Sequence, residues 1–508
     1  MRANRKPVLM PIEGMDFSKP AKYIGEVDGF PKNLRIYRNE LRKREGTSKY
    51  GSVAVAGAPI MGLGVLELPS GTKYLLRCST LNIEYYDIGT SAWVDINVAP
   101  FAGTSSDFFS FANMPEQGYI AFTNGVDLPR KWTGSGNNSV LLNAPKCKYL
   151  CWVQPYLLAA HTTGAGGYPF EIKWCDTDAP TNWTTGNSGS QMLSDDPSPI
   201  KNVIKMNEYA AIYKRDSLWL GRKVSVSDVW QFDCVFSGDG LFASRTVADV
   251  NGIHYFMGKS DFYRWNGSQK EPIGEKVRDD VFRRVSRISA EQCHALHVAE
   301  LSEVWWYIIT AGNSYPTEIW KYNYRKGFWY YDTCNNITAS TRWYRVDSET
   351  WNDESGTWDE AMDVWDEGAA VADYEEIITG RSDGHTLRMN YNSVNDDDVA
   401  VAAEFVSKDF TLDADEFYKR WLQLDVEMKG IGNVYAYYSI DEGNAWVNIP
   451  YNSTTAYVTL SEAYTKYEFY CDVVSEKIRF KFTCDGSSHL FYMRGFRPYY
   501  RAREEVRA

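Results

Sequence analysis

Leu241 to Gly274 reads LFASRTVADVNGIHYFMGKSDFYRWNGSQKEPIG, and its periodicity decides the fold. Thr246, Ala248 and Val250 alternate with Val247 and Asp249, the two-residue period of a strand with one buried face. Asn251-Gly252 is a strong hairpin signal, because both central positions of a type I′ turn need positive φ. Ile253 to Met257 is a second strand, Gly258 to Asp261 a polar turn, and Phe262 to Trp265 a third strand closed by Asn266-Gly267. Three short strands joined by tight turns cannot cover both of their faces. The segment therefore requires similar units packed beside it.

The rest of the chain supplies them. Between Gly51 and Trp343 aromatic-rich strand groups recur at roughly 40 to 55 residues, the spacing of radially repeated small sheets. The others run through Leu63 to Ile96, Phe108 to Trp132, Tyr149 to Trp183, Ile200 to Phe232 and Cys293 to Tyr331. One helix is expected at Glu275 to Val285. Ile377 to Gly380 and Thr386 to Met389 form a further hairpin placed to close the ring. Beyond Val401 the strands lengthen and alternate clearly, as in Leu422 to Met428 and Ile478 to Phe482, which reads as an antiparallel sandwich. The expected fold class is all-β: a β-propeller of about six blades followed by a C-terminal antiparallel β-sandwich. The expected boundaries are a basic N-terminal arm at 1–50, blades at 51–345, an acidic Trp-repeat loop with a closing hairpin at 346–395, and the sandwich at 396–508.

Composition narrows the function classes. The 508 residues include 35 Tyr and 18 Trp, and aromatics reach 15%, which favours strands and large contact surfaces. A net charge of −12 argues against general nucleic-acid binding through a basic face. No apolar run approaches the roughly 20 residues needed to span a bilayer. The first residues, MRANRKPVLMPIEG, lack the continuous apolar core of a secretory signal. Nine cysteines, odd in number and scattered, suit a reducing compartment. Cys147 with Cys151, and Cys293 with His294 and His297, lack a second half at zinc spacing, so no metal or other cofactor is expected.

Two segments stand out by charge. Residues 1 to 49 carry twelve Lys/Arg against six Asp/Glu on an otherwise acidic chain. Arg35, Arg38, Arg42, Lys43 and Arg44 are the candidates there for docking against a neighbouring protein. Residues 345 to 376 hold twelve Asp/Glu against Arg345 alone, with Trp351, Trp358 and Trp365 at seven-residue intervals. Asp353, Glu354, Asp359, Glu360, Asp366 and Glu367 follow those tryptophans. So many carboxylates resist burial, while three indoles resist full exposure. The expectation is a loop with its rings packed and its acids in solvent, projecting toward a channel or a tip.

Ser439, Asp441, Gly443 and Trp446 fit the S-x-D-x-G-x-x-W Asp-box pattern. Its chemistry is structural: the carboxylate accepts turn N–H groups and glycine supplies the positive φ. Asp boxes occur in sialidases, but no catalytic residue carries over. No nucleotide loop, nucleophile elbow or zinc-protease signature is present, so no enzyme is expected.

Several phrases together resemble the tail nozzle, or packaged-DNA stabilisation, proteins of short-tailed bacteriophages. They are Asn33 to Gly46 with its Leu-Arg-Lys-Arg-Glu-Gly, Trp174 to Trp183, and Gly240 to Gly274. The resemblance implies a non-enzymatic β-propeller with neither catalytic residues nor cofactor. It implies a homohexameric ring below the portal and adaptor, beside tail fibres or spikes, with double-stranded DNA passing without sequence specificity. Such a protein assembles in the host cytoplasm and resides in the virion tail, where it retains the genome and opens for ejection. The alternative is a carbohydrate-binding or carbohydrate-active propeller of a tail, acting on a receptor or as a depolymerase.

Overall fold

Asn251 and Gly252 both take positive φ, 53° and 81°, and join strands Val247–Val250 and Ile253–Met257 with Val250 opposite Ile253. Phe262–Trp265 follows, and Lys270–Pro272 adds a fourth strand that the sequence reading leaves unassigned. Proline is tolerated in that strand because it is outermost. The computed structural model describes residues 4–5, 15–16, 29–37, 40–225, 229–345, 374–411, 418–452 and 454–502.

The same four-stranded antiparallel unit repeats at 60–95, 110–140, 147–192, 200–237, 247–272 and 294–333. A further unit consists of Ile337–Arg345, Tyr374–Arg381 and Thr386–Asn390, and its fourth strand is Gly46–Lys49 from the far end of the sequence. The expected hairpin at 377–389 thus takes its place in the last unit.

Each apolar core is shared between neighbouring units. Met61 and Ile83 pack with Phe109 and Phe122. Met114 and Tyr119 pack with Trp152, Trp174 with Trp219 and Phe232, and Tyr213 with Phe256 and Trp265. Phe262 packs with Trp306 and Trp329, and Trp305 with Ile377 and Leu387. Trp343 and Ile378 then return to Ile60 and Trp93 of the first unit. First strands also lie against first strands, with Ile337–Arg345 beside Ile60–Glu67. Cores that alternate in this way and come back to their start describe units set radially around an axis, a β-propeller. Arg278–Arg284 is the one α-helix among the described residues, inside the expected span.

Beyond the propeller, two sheets share one core rich in Trp421, Phe469, Phe480, Phe482 and Phe496. One sheet contains Lys419–Ile431, Thr465–Ser475 and Leu490–Ala502. The other contains Ala403–Ser407, Asn433–Ser439 and Arg479–Cys484. This second sheet is continuous with the propeller. Gly29–Lys32 pairs on one side with Phe328–Thr333 and on the other with Ala403–Ser407, making ten strands in all.

Residues 29–49 are therefore not a separate arm. Gly29–Lys32, Leu34–Tyr37, Glu40–Lys43 and Gly46–Lys49 enter three different sheets in succession. The physical reason is pairing: Gly29–Lys32, Glu40–Lys43 and Gly46–Lys49 each satisfy their backbone on strands hundreds of positions away, and Leu34–Tyr37 joins through its hairpin with Glu40–Lys43.

Candidate functional site

The residues assigned to a docking arm lie mostly inside the protein. Arg38 is outside the described residues. Arg35 is 5% exposed and pairs with Glu45 at 2.7 Å, and half-buried Arg42 meets the same carboxylate. Lys43, also buried, donates to the His489 carbonyl at 3.1 Å. Arg44 forks onto Asp396, its Nη1 and Nη2 donating at 3.0 and 2.5 Å, while its Nε donates to Asn33 Oδ1. Lys321 pairs with buried Asp332 and lies 3.9 Å over the Trp305 ring. Arg35, Arg42, Arg44 and Lys321 thus face Glu45, Glu303, Asp332 and Asp396 where propeller, N-terminal strands and C-terminal sheets meet. Burial pushes the Glu45 carboxyl up, but Arg35 and Arg42 more than offset it and hold it below its ordinary value. Burial likewise opposes the Arg44 charge, and Asp396 and Asp332 outweigh it. A balanced, desolvated network of this kind fixes geometry. A cavity of about 140 Å³ adjoins it, between the Trp305–Tyr307 and Ile377–Leu387 walls.

A second polar cluster closes the propeller axis. Phe108, Lys201, Arg245, Gln292 and Thr338 sit at or just before the first strands of five units. Arg245 Nη1 donates to the Thr338 carbonyl at 2.7 Å and Nη2 to the Gln292 carbonyl at 3.2 Å. Its guanidinium lies 3.5 Å over the Phe108 ring, which belongs to the opposite side of the ring. Glu291 pairs with Lys201 and accepts the Ser244 N–H at 2.9 Å. Gln292 Nε2 reaches the Ser105 carbonyl at 3.0 Å. Burial works against the Arg245 charge, and Glu291 supports it. His294 stacks on Tyr307 at 4.3 Å and is kept neutral by burial and by Arg245. The arrangement is a cation clamped across an axis. It places no nucleophile beside a general base. No local sequence signal marks Arg245, because all its partners come from other units.

The Asp box is a hairpin between Asn433–Ser439 and Val447–Asn448. Asp441 Oδ1 accepts the Ser439 hydroxyl at 2.7 Å and the Ala445 N–H at 2.9 Å, and Gly443 takes φ 93°. These bonds hold the Asp441 carboxyl below its usual range. Trp446 lies under the Lys481 ammonium at 4.4 Å.

Trp351, Asp353, Glu354, Trp358, Asp359, Glu360, Trp365, Asp366 and Glu367 lie outside the described residues. The flanking strands pair Arg345 with Tyr374. Among the described residues no group of three or more His, Cys, Asp or Glu is arranged to hold a metal. Cys147, Cys151 and Cys293 are buried, and burial raises each thiol to about 12. No described helix is long and apolar enough to cross a membrane.

No family model matches the chain, and no curated protein matches it. Among solved structures, the WD40 domain of Neurospora crassa Pan2 aligns at 7% identity and TM-score 0.38, covering 68% of this chain and 95% of that one. YCF48 from Cyanidioschyzon merolae aligns at 9% identity and TM-score 0.38, covering 68% and 98%. A family 29 carbohydrate-binding module aligns at 15% identity and TM-score 0.15, over 20% of this chain and only 60% of the module. At these scores the likenesses carry no argument about activity or partners.

Proposed function

We propose that this chain is a structural protein of a short-tailed phage tail, a nozzle subunit that forms a ring extending the DNA channel. The observation that carries the reading is the lacing of residues 29–49 through three sheets, with the propeller and C-terminal sheets continuous through Gly29–Lys32. A subunit that holds back packaged DNA must pass load between its parts without a hinge, and a shared sheet does so. The axis of one propeller is filled by Arg245 on Phe108, so DNA passes through the ring of copies and not through a single propeller. In this reading the propeller has seven blades, one more than the sequence periodicity gives. Strand Gly46–Lys49 closes the ring, and the C-terminal sheets form a sandwich. The partners are the adaptor above, fibres or spikes beside, and DNA in transit. The protein is made in the host cytoplasm, resides in the virion tail and turns over no substrate. Electron microscopy of the purified chain tests this: six-fold rings with a central opening are expected, and a population of monomers alone sinks it.

A second reading, glycan binding, is favoured by the cavity of about 140 Å³, where buried Asp332 Oδ1 and Thr379 Oγ1 find no hydrogen-bond partner among the described residues. Titration with host surface polysaccharides decides it, and an absence of saturable binding removes it.

A further inference from the structure

The first strand of every unit starts on one face of the propeller. Antiparallel order brings the chain back to that face after the second and fourth strands. Loops 80–82, 96–109, 124–129, 141–146, 163–170 and 273–293 all lie there. This face carries exposed apolar side chains at Leu81, Val98, Leu128, Leu142 and Tyr168, with Val98 and Leu142 each 65% exposed. Ile288 is 100% exposed, on the tip of the loop that follows helix Arg278–Arg284.

The loop is held, not loose. Ser286 N–H donates to the Ile309 carbonyl at 2.8 Å and Ser289 N–H to Ser286 Oγ at 3.2 Å. Gln292, at its far end, is tied across the axis to Ser105. A large aliphatic side chain presented in full on a rigid tip gains nothing for the monomer. On binding it would lose little conformational freedom, which is the condition for an anchor residue.

Charge says what it fits. Residues 275–289 hold five basic residues against three acidic ones, on a chain of net charge −12. Arg278 is paired with Asp261 and Arg284 with Asp280 and Glu318, so the exposed basic residues at the tip are Arg283 and Arg287. Arg283 is paired with Asp280 yet 77% exposed, and Arg287 is exposed beside Ile288. The loop therefore suits an acidic surface with an apolar recess, and the chain is itself strongly acidic. We propose that this loop face, anchored by Ile288, is the surface by which one copy of this chain docks on a second copy. The inference rests on the ring reading above and assigns it a contact.

The test uses the full chain. Mass photometry across a concentration series, with electron microscopy, compares wild type with Ile288→Asp and Ile288→Val. Because Ile288 touches solvent alone, both variants should keep the wild-type melting midpoint. Wild type and Ile288→Val should assemble. Ile288→Asp should need about 30-fold or more higher concentration, the loss of one anchor residue. An Ile288→Asp chain that assembles like wild type overturns this contact and leaves the ring reading standing. A wild-type chain that stays monomeric at every concentration overturns both.

Discussion

Arg44 shows what a residue read from its neighbours in sequence can conceal. Within Leu-Arg-Lys-Arg-Glu-Gly it looks like one more solvated charge. Its main partner, Asp396, is 352 positions away, and no local pattern announces that pairing. Arg44→Met should destabilise the chain by about 2–3 kcal/mol, because half-buried Asp396 would lose its bidentate cation while Asp332 keeps Lys321. Urea unfolding measures this, and a loss below about 1 kcal/mol would mean that the network is not desolvated. The Asp box is the opposite case. Ser439, Asp441, Gly443 and Ala445 find their partners within a few residues, so the turn was legible from sequence alone. The histidines give a pH prediction. His254 donates to or accepts from the Tyr213 hydroxyl at 2.8 Å, and burial lowers it to about 4. Burial and then Arg342 lower His297 to about 4 as well, and burial with Arg245 holds His294 well below its ordinary value. An unfolded imidazole titrates near 6.5, so the unfolded chain takes up protons first. The sign follows: stability is complete above about pH 6.5 and falls as pH drops toward about 4. Denaturation midpoints at pH 7 and pH 5 should differ in that direction, and equal midpoints would show that these imidazoles are not held neutral.

Elements were legible where the strands of a unit are consecutive. Asn251-Gly252 and its flanking strands needed only period and turn chemistry. The last propeller unit was not, because its first two strands are separated by residues 346–373 and its fourth comes from the N-terminus. Gly46–Lys49 contains one glycine and three polar residues, with neither β-branched run nor alternation to betray a strand inside a sheet. The register is nevertheless close. A Cβ on Gly46 would stand 1.9 Å from the Asn395 carbonyl oxygen, which is backbone and cannot swing aside. Gly46→Ala should therefore cost about 1–3 kcal/mol or more. Its signature should be earlier proteolysis at the joint between Gly46–Lys49 and Thr386–Asn390. A variant with unchanged melting and digestion would show that the closing strand has slack. Removal of residues 1–49 goes further. It strips a strand from the last unit and opens the link through Gly29–Lys32, so the expected product is aggregated chain, not a folded propeller lacking an arm. Recovery of a soluble, cooperatively melting remnant would contradict that.

At the scale of the whole molecule the governing quantity is net charge. Each copy carries −12, so bringing copies together in a ring sets like charges against one another. Opposed to this are the few local attractions available, such as the basic loop around Arg283 and Arg287. Exposed pairs of that kind contribute about 0.2–1 kcal/mol each. Salt weakens both terms, but not equally. Repulsion between whole acidic surfaces acts over many residues at separations near the screening length, about 10 Å at 0.1 M and about 3 Å at 1 M. The contact proposed at the loop face is anchored by the fully exposed Ile288, and salt does not weaken apolar burial. The repulsive term therefore falls faster than the attractive one. Raising ionic strength from about 0.05 M to about 0.5 M should strengthen ring formation, lowering the concentration for half-assembly several-fold. Mass photometry at the two salts reads this directly. Weaker assembly at high salt would mean that ion pairs, and not apolar anchors, hold copies together, and the contact would then have to be sought among the charged residues of the outer sheets.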